Sequence, residues 1–526
     1  MEQNSMIKND TNKTLYEAML DVAEQYPDKE ALVLGDTRLT YRQFIEKVDA
    51  FAAGLTKLGI GKGDKVGIIL PVCVEGVLAF SAFSKIGAPF IPMNPQFRSS
   101  EAKHILSDAE AVGVITVDEL MGFNYIDMIE GIRPDLPDLK HVIVYGEGAK
   151  GDAIPLADIL AAEPQPYEGE PVSAEDPLYI LYTSGTTGLP KGAEKSNQSE
   201  LACLAIAIGT IPSEQLASIL NPFPLFHYAG IILPFMALYT GNKLVMHPRF
   251  HPMEMLELIE QEQVTMMVGA PAMVKLMMDV IDIVPRDLSS LKSVGMGGAP
   301  VPTQLINATK ERLGSDVFNG YGMTEMGVIS MTSADFPIEI QSTTVGRPPA
   351  GVAVKIVDEQ RRQVPTGQAG EIACKSPQAM MGYWNNPEQT AEAYDEEGFF
   401  HTGDIGSFDE EGYLSIFDRK ADMIIRGAEN IYPAEIEHYL MSHPKIQMAG
   451  VIGIPSVVSG ETVRAYILLK EDQELSEVEV LDYCRGKIAV YKTPEEVRIV
   501  ESLPLTSLMK VKRFQLRQEA IRELEG

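Results

Sequence analysis

The sequence predicts an α/β protein: a large amino-terminal domain of parallel sheets covered by helices, carrying a small β-rich subdomain, followed by a small α+β carboxyl-terminal domain. Three observations predict it. Short apolar runs alternate with longer amphipathic stretches from about residue 30 to residue 330, which is the pattern of a mostly parallel sheet with helices on its faces. Closely spaced strand patterns replace that alternation between about residues 345 and 425. Mixed strands and helices then run to the end of a 526-residue chain, which is too long for one hydrophobic core. We expect an amino-terminal domain over 1–418, with its β-rich subdomain over about 340–418, and a carboxyl-terminal domain over 419–526.

Taken in order, Lys65 to Leu70, Pro89 to Met93, Val112 to Val117 and Leu178 to Thr183 read as buried strands. Lys243 to His247, Met266 to Gly269 and Ser293 to Gly297 read the same way, with helical patterns such as Pro252 to Gln261 between them. Ligands of such sheets bind beyond the carboxyl ends of the strands, where Thr183 and Gly297 fall. The β-rich part is predicted from Val352 to Val357, Glu371 to Lys375, Tyr413 to Phe417 and Met423 to Ile425. The last region contributes strands over Gly450 to Ile454 and Val463 to Leu469, a helix near Glu477 to Gly486, and a charged helix from Arg513 onward.

Composition narrows the classes of function. The residues are 45% hydrophobic and 22% charged, as in a globular protein. The longest apolar stretch, Ala229 to Leu238, is broken by Pro234 and falls short of the ~20 residues that span a bilayer, so no integral membrane segment is expected. The first residues lack the basic start and apolar core of a signal peptide, and a cytoplasmic location is expected. Cys73, Cys203, Cys374 and Cys484 lie far apart, with neither zinc-site nor disulfide-framework spacing, and read as buried free thiols. A formal charge of −30 argues against nucleic acid or an anionic membrane as partner. Lys191, Arg347, Arg419, Arg426, Lys510 and Arg513 nevertheless cluster in or beside glycine-rich segments, which points to a small polyanionic ligand.

Thr183 to Gly192 is the clearest such segment. Glycines let backbone amides turn toward an anion, hydroxyls add donors and a lysine adds a mobile positive charge. Thr183, Ser184, Gly185, Thr186, Thr187, Gly188 and Lys191 are therefore the candidate phosphate-binding residues. The run is not a Walker A loop, because Lys191 follows Pro190 and no Gly-Lys-Ser/Thr ending is present.

This run resembles the phosphate-binding signature of the adenylate-forming superfamily, which includes acyl-CoA ligases, the adenylation domains of peptide synthetases and firefly-type luciferases. Three further segments resemble the family's motifs in the family's order: Asn319 to Glu325, His401 to Asp404, and Pro504 to Arg513 with Lys510. The resemblance covers about residue 30 to about residue 515. It implies a large adenylation domain and a mobile carboxyl-terminal domain that rotates about a hinge near Asp418 to Asp422, at Ala421.

The resemblance also assigns roles. Asn319, Gly320, Tyr321, Gly322 and Met323 would hold adenine, and Gly298, Ala299 and Pro300 would also bind ATP. Read alone, Tyr321 between glycines is equally a packed turn, and Asp404 after Gly403 equally a turn former. In the family pattern Asp404 accepts from the ribose hydroxyls, assisted by Arg419, while Thr324 bonds the α-phosphate. Glu325 would hold Mg2+, a hard cation that takes a carboxylate plus phosphate oxygens; by itself it also suits a helix N-terminus. Lys510 and Lys191 would supply charge to the phosphates, and without the family match Lys510 reads as a surface lysine. His227 and Gly297 would border the acyl pocket, although a lone His in an apolar run also reads as a core residue. Arg426, Gly427 and Ala428 would meet CoA.

The reaction implied has two halves. A carboxylate attacks the α-phosphorus of ATP, giving acyl-AMP and pyrophosphate; the CoA thiol then attacks the acyl carbonyl and AMP leaves. The expected cofactors and co-substrates are ATP, Mg2+ and CoA, with a small carboxylic acid as partner and a monomer or homodimer as assembly. The apolar segments Tyr228 to Leu238 and Met296 to Pro300 favour a fatty or alicyclic acid. Departures from the family pattern are Leu508-Met509 before Lys510, Ala421 at the hinge, the polar run Ala193-Glu-Lys-Ser-Asn197, and Ala428 in place of a glycine. The alternatives are an acyl-AMP ligase loading a separate carrier protein, a weakened ATP and acyl-ligand sensor, and an oxygen-dependent luciferase-like activity.

Overall fold

Two eight-stranded sheets carry the first of two units into which the chain divides, one running to Ala353 and including Lys375–Phe400, the other comprising Val354–Cys374 and His401–Gly526. The structure is a computed structural model that describes residues 11–183, 190–283, 285–426, 429–456, 460–485, 487–488, 490–506 and 509–525. In the first sheet the strand order is Gly327–Met331, Asp316–Met323, Ser293–Gly297, Met266–Gly269, Ser218–Asn221, Lys243–Met246, Glu30–Leu34 and Thr37–Thr40. Its six inner strands pair in parallel and its two edge strands antiparallel. The parallel strands are short and almost wholly buried because helices cover them, so they read as continuous apolar runs rather than alternations.

The helices have sequence-encoded ends. Pro252–Gln261 starts with proline at its first turn, where no amide is needed, and turns Met255, Leu256 and Ile259 inward. Those side chains join Met267, Val274, Met277, Val294, Leu305 and Ile306 in one core between sheet and helices. Ser196 caps helix Asn197–Ile208 by accepting from the Ser199 amide.

The second sheet of this unit runs Gly382–Tyr383, Lys191–Ser196, Pro177–Thr183, Phe90–Pro92, Val66–Ile69, Gly113–Val117, His141–Tyr145 and Ile154–Pro155. One expectation needs revising here. Lys191 and Gly192 belong not to a loop but to strand Lys191–Ser196, antiparallel to Pro177–Thr183 with Lys191 opposite Thr183. The intervening residues Ser184, Gly185, Thr186, Thr187 and Gly188 lie outside the described residues.

The second unit holds a four-stranded sheet, Ala353–Val357, Gly370–Lys375, Phe400–Phe408 and Leu414–Arg419. It also holds a five-stranded sheet built on the long hairpin Ile446–Ser456 and Gly460–Leu469. Period-two alternation sorts the hairpin's residues. Val451, Val463, Ala465 and Ile467 face a core shared with Ile436, Leu440, Val480 and Cys484, whereas Ile452, Ile454 and Tyr466 pack on Leu516 and Ala520 of helix Arg513–Glu525. The exposed turn containing Ala421 joins the two sheets.

Candidate active site

Residues of the candidate site fall in both units and are taken one unit at a time. In the first, Thr183 ends strand Pro177–Thr183 and Lys191 opens the next strand. The Lys191 ammonium stands 5.7 Å from the centre of the Tyr383 ring, a cation–π contact. The Tyr383 hydroxyl donates to Glu325 Oε1 at 3.2 Å. One aromatic side chain therefore lies against both the phosphate lysine and the candidate metal carboxylate. The sequence analysis missed Tyr383, since no local pattern marks it; its pairing with Ala193 across the sheet is what brings it there.

Asn319 to Met323 continue strand Asp316–Met323, which turns back at Thr324 and Glu325 into Gly327–Met331. The two glycines flanking Tyr321 do different things. A Cβ on Gly320 would meet nothing within 4 Å, so that face of the strand is open to a ligand. A Cβ on Gly322 would come within 2.3 Å of the Gly327 carbonyl oxygen, so this glycine serves the hairpin itself. Asn319 is buried and its amide donates to the Thr344 carbonyl at 3.3 Å, which fixes the strand's exit. Glu325 is buried.

Gly297 ends its strand opposite Gly320, and Gly298, Ala299 and Pro300 follow exposed, with Gly298 at φ +78°. His227 caps helix Tyr228–Tyr239: its Nδ1 accepts from the Ala229 amide at 3.3 Å, which puts the proton of the neutral ring on Nε2. The helix presses closely on the turn before it. A Cβ on Gly230 would stand 1.9 Å from the Pro224 carbonyl oxygen. Gly230→Ala is thus expected to destabilise the first unit by about 1–3 kcal/mol, the ordinary cost of overpacking. A thermal melt reads this as a lowered midpoint, and an unchanged midpoint would show that the turn yields freely.

In the second unit Asp404 is buried and sits opposite Arg419 in adjacent strands, with Arg419 Nε 2.7 Å from Asp404 Oδ1. Lys510 lies close enough to both for their charges to act on it. Although Lys510 is exposed along its loop, the protein crowding its ammonium lowers its pKa, Arg419 adds to this, Asp404 opposes it and Arg513 lowers it further. The loop is tied by Thr506 Oγ1, which accepts from the Lys510 amide at 3.1 Å, and by the Lys510 carbonyl, which accepts from the Thr506 amide at 2.7 Å. Met509 takes φ +61°, the left-handed conformation that glycine adopts without strain. Three residues past Lys510, Arg513 binds Glu437 with Nε at 2.9 Å and Nη2 at 2.6 Å, and its Nη1 reaches Asp418 at 2.7 Å and Asp422 at 3.1 Å.

Arg426, expected at CoA, is already occupied: Nη1 donates to the carbonyls of Tyr491 at 2.8 Å and Thr493 at 3.3 Å, and Nη2 pairs with Glu495. Gly427 and Ala428 lie outside the described residues. Among the described residues no group of three or more His, Cys, Asp or Glu could cage a metal. A single buried carboxylate beside a hydroxyl, Glu325 with Thr324, suits Mg2+, which takes one or two carboxylates and completes its shell with phosphate oxygens and water.

A second feature missed by sequence reasoning is the segment 378–384, which straps the hairpin bearing Glu325 to strand Lys191–Ser196. The Met380 amide donates to the Glu325 carbonyl at 2.7 Å, the Met381 amide to Glu194 at 2.8 Å and the Trp384 amide to Gly192 at 2.8 Å. Trp384 Nε1 also donates to the Asp108 carbonyl at 2.9 Å, with Lys65 4.6 Å from its ring centre. Gln378 clasps Val328, accepting from its amide at 3.0 Å and donating to its carbonyl, and the Gln378 carbonyl accepts from the fully buried Lys195.

The AMP-binding enzyme family matches residues 20–384 and the AMP-binding enzyme C-terminal domain matches residues 435–510. The human mitochondrial medium-chain acyl-CoA ligase ACSF2 is 31% identical over 98% of this chain and 89% of its own length. A propanoyl:CoA ligase of Rhodococcus jostii, whose acyl group carries a 7a-methyl-1,5-dioxo-octahydro-1H-inden-4-yl ring system, is 32% identical over 95% of this chain and 98% of its own. The crystal structure of the anthranilate CoA ligase AuaEII in complex with anthranoyl-AMP superimposes with a TM-score of 0.89 at 27% identity, over 100% of both chains.

Proposed function

The chain belongs to the AMP-binding enzyme family, and from that premise we propose that it activates a hydrophobic carboxylic acid, fatty or alicyclic, as its acyl-AMP and passes the acyl group to CoA. It is an AMP-forming acid–thiol ligase of the acyl-CoA ligase branch, using ATP and CoA. The adenylation step is supported by one observation above all: Arg419 Nε lies 2.7 Å from Asp404 Oδ1, and Lys510 is near enough for the charges of both to act on it.

Each group then has a task. Asp404 accepts from the ribose hydroxyls, with Arg419 holding its carboxylate in place. Thr324 bonds the α-phosphate, and Lys191 with the preceding glycine-rich residues neutralises the phosphates. Glu325 holds Mg2+, which when bound supplies positive charge to the phosphate oxygens. Lys510 meets the charge that develops as the acid carboxylate attacks the α-phosphorus and pyrophosphate departs. A fixed positive charge aimed at developing negative charge lowers such a barrier without reorganisation. The division at residues 418 and 419, with Ala421 as pivot, is part of this proposal.

The acid class is supported by helix Tyr228–Tyr239, which follows His227 and carries no charged side chain. It is supported also by the medium-chain and bicyclic acyl groups named for the relatives. No helix among the described residues is long and apolar enough to cross a membrane. All four cysteines are buried and none is joined in a disulfide, which suits the reducing cytoplasm. The engagement of Arg426 by Glu495 favours keeping a carrier-protein thiol as the second candidate acceptor.

A pyrophosphate-release screen with ATP, Mg2+ and aliphatic, alicyclic and aromatic acids, with and without CoA, tests the reading. CoA-dependent turnover to AMP and acyl-CoA with aliphatic or alicyclic acids is expected. Release that stalls near one equivalent and is relieved only by a carrier protein would replace CoA as acceptor, and silence with every acid would support a ligand sensor.

A further inference from the structure

We propose that Tyr383 is a positioning residue for the Glu325 carboxylate, and that buried Lys195 holds the strap that carries it; this rests on the reading of Glu325 as the Mg2+ ligand. The polar run Ala193 to Asn197, which departs from the family pattern, is thereby given a purpose. Within strand Lys191–Ser196 the side chain of Lys195 is fully buried, a costly placement for an ammonium unless it is bonded and its charge compensated. Its Nζ donates to the Gln378 carbonyl. Its charge acts on Glu200, also fully buried: burial raises the Glu200 pKa and Lys195 opposes that rise, while Glu200 Oε2 accepts from the Tyr179 hydroxyl at 2.8 Å.

From that anchor the connection to Glu325 is continuous. Gln378 holds Val328 by both amide and carbonyl, as a neighbouring strand would. Two residues on, the Met380 amide takes the Glu325 carbonyl, and Tyr383 takes the Glu325 carboxylate. The residue is thus gripped at backbone and side chain by one short segment. That segment is itself hydrogen-bonded to the strand bearing Lys191. A hydroxyl donor on one carboxylate oxygen fixes the rotation of the group, which is how outer partners orient metal ligands and tune their affinity.

The test is calorimetric titration of Mg2+ into the full-length protein saturated with an ATP analogue that cannot be cleaved between the α- and β-phosphates. Tyr383→Phe removes one oxygen and leaves the ring against Lys191. It is expected to weaken Mg2+ binding about tenfold and to leave the metal-free affinity for the analogue within twofold. Lys195→Met is expected to shift Mg2+ affinity in the same direction if its circular dichroism matches wild type. Glu325→Gln is the reference. Weak Mg2+ binding by Glu325→Gln with wild-type binding by Tyr383→Phe would overturn the positioning role. Wild-type Mg2+ binding by Glu325→Gln would overturn the assignment of Glu325, and with it the purpose given to the strap. Equal loss of metal-free analogue binding in Tyr383→Phe would show a general packing role and also overturn the proposal.

Discussion

Replacing Lys510 by alanine is expected to slow acyl-adenylate formation by a hundredfold or more, the scale of losing one preorganised charge at a transition state. CoA transfer from preformed acyl-AMP is expected to survive, because there the acyl C–O bond breaks rather than a bond to phosphorus: AMP leaves with that electron pair on its phosphate oxygen, and no pentavalent phosphorus needs support. The two halves are measured separately, by pyrophosphate release and by acyl-CoA formation from synthetic acyl-AMP. Equal losses in both would remove the division of labour assigned to this residue. The environment of Lys510 adds a pH signature. Crowding, then Arg419, with Arg513 a smaller contributor, lowers its pKa against the pull of Asp404. A lowered lysine pKa means that the charged form is lost as pH rises through a value below the ordinary lysine range. The alkaline limb of adenylation is therefore expected below that range, shifted further down in Asp404→Asn, and absent from the thiol-transfer half. A limb at the ordinary lysine position would mean that the crowding seen around the ammonium is not present during the reaction.

Arg513→Met is expected to cost about 3–5 kcal/mol, the range for removing one partner of a buried ion pair. One guanidinium meets Glu437, Asp418 and Asp422, and the Asp418 and Glu437 side chains are only 3% and 11% exposed. Asp418 also accepts from the amides of Ala434 at 2.7 Å and Arg419 at 2.8 Å, which helps it but does not neutralise it. With methionine at 513 two buried carboxylates would lose their countercharge and the start of helix Arg513–Glu525 its anchor. Hydrogen exchange should then show faster exchange in that helix and in hairpin Ile446–Ser456 and Gly460–Leu469, with the first unit unaffected. Unchanged exchange would show that water satisfies the carboxylates at little cost.

Much of the architecture was legible because parallel strands buried on both faces are written as plain apolar runs, and because Pro252 and Gln261 bound a helix with its apolar face intact. Strand Lys191–Ser196 was not legible: Lys-Gly-Ala-Glu-Lys-Ser has no strand pattern, and its burial depends on a carbonyl supplied by Gln378, far along the chain. The segments proposed to meet phosphate and ribose, and the one carrying Lys510, could be singled out because their chemistry is local, with hydroxyls, glycines and charges packed into a few residues. Tyr383 and Lys195 could not, since what distinguishes them is the partner that folding delivers. Arg426 shows the converse, a residue whose motif points outward to a ligand but whose guanidinium is satisfied within its own unit.

Trp384 is the only tryptophan in the chain, and it lies at the end of the strap, bonded to Asp108 and one residue from Tyr383. The indole emission of this protein therefore comes from a single chromophore fixed beside the candidate metal hairpin, with a lysine ammonium over its ring. A shift in the strap on nucleotide binding would change the field and solvent around that one ring. The protein thus carries an optical reporter of the strap at its proposed nucleotide site, where no label has to be introduced.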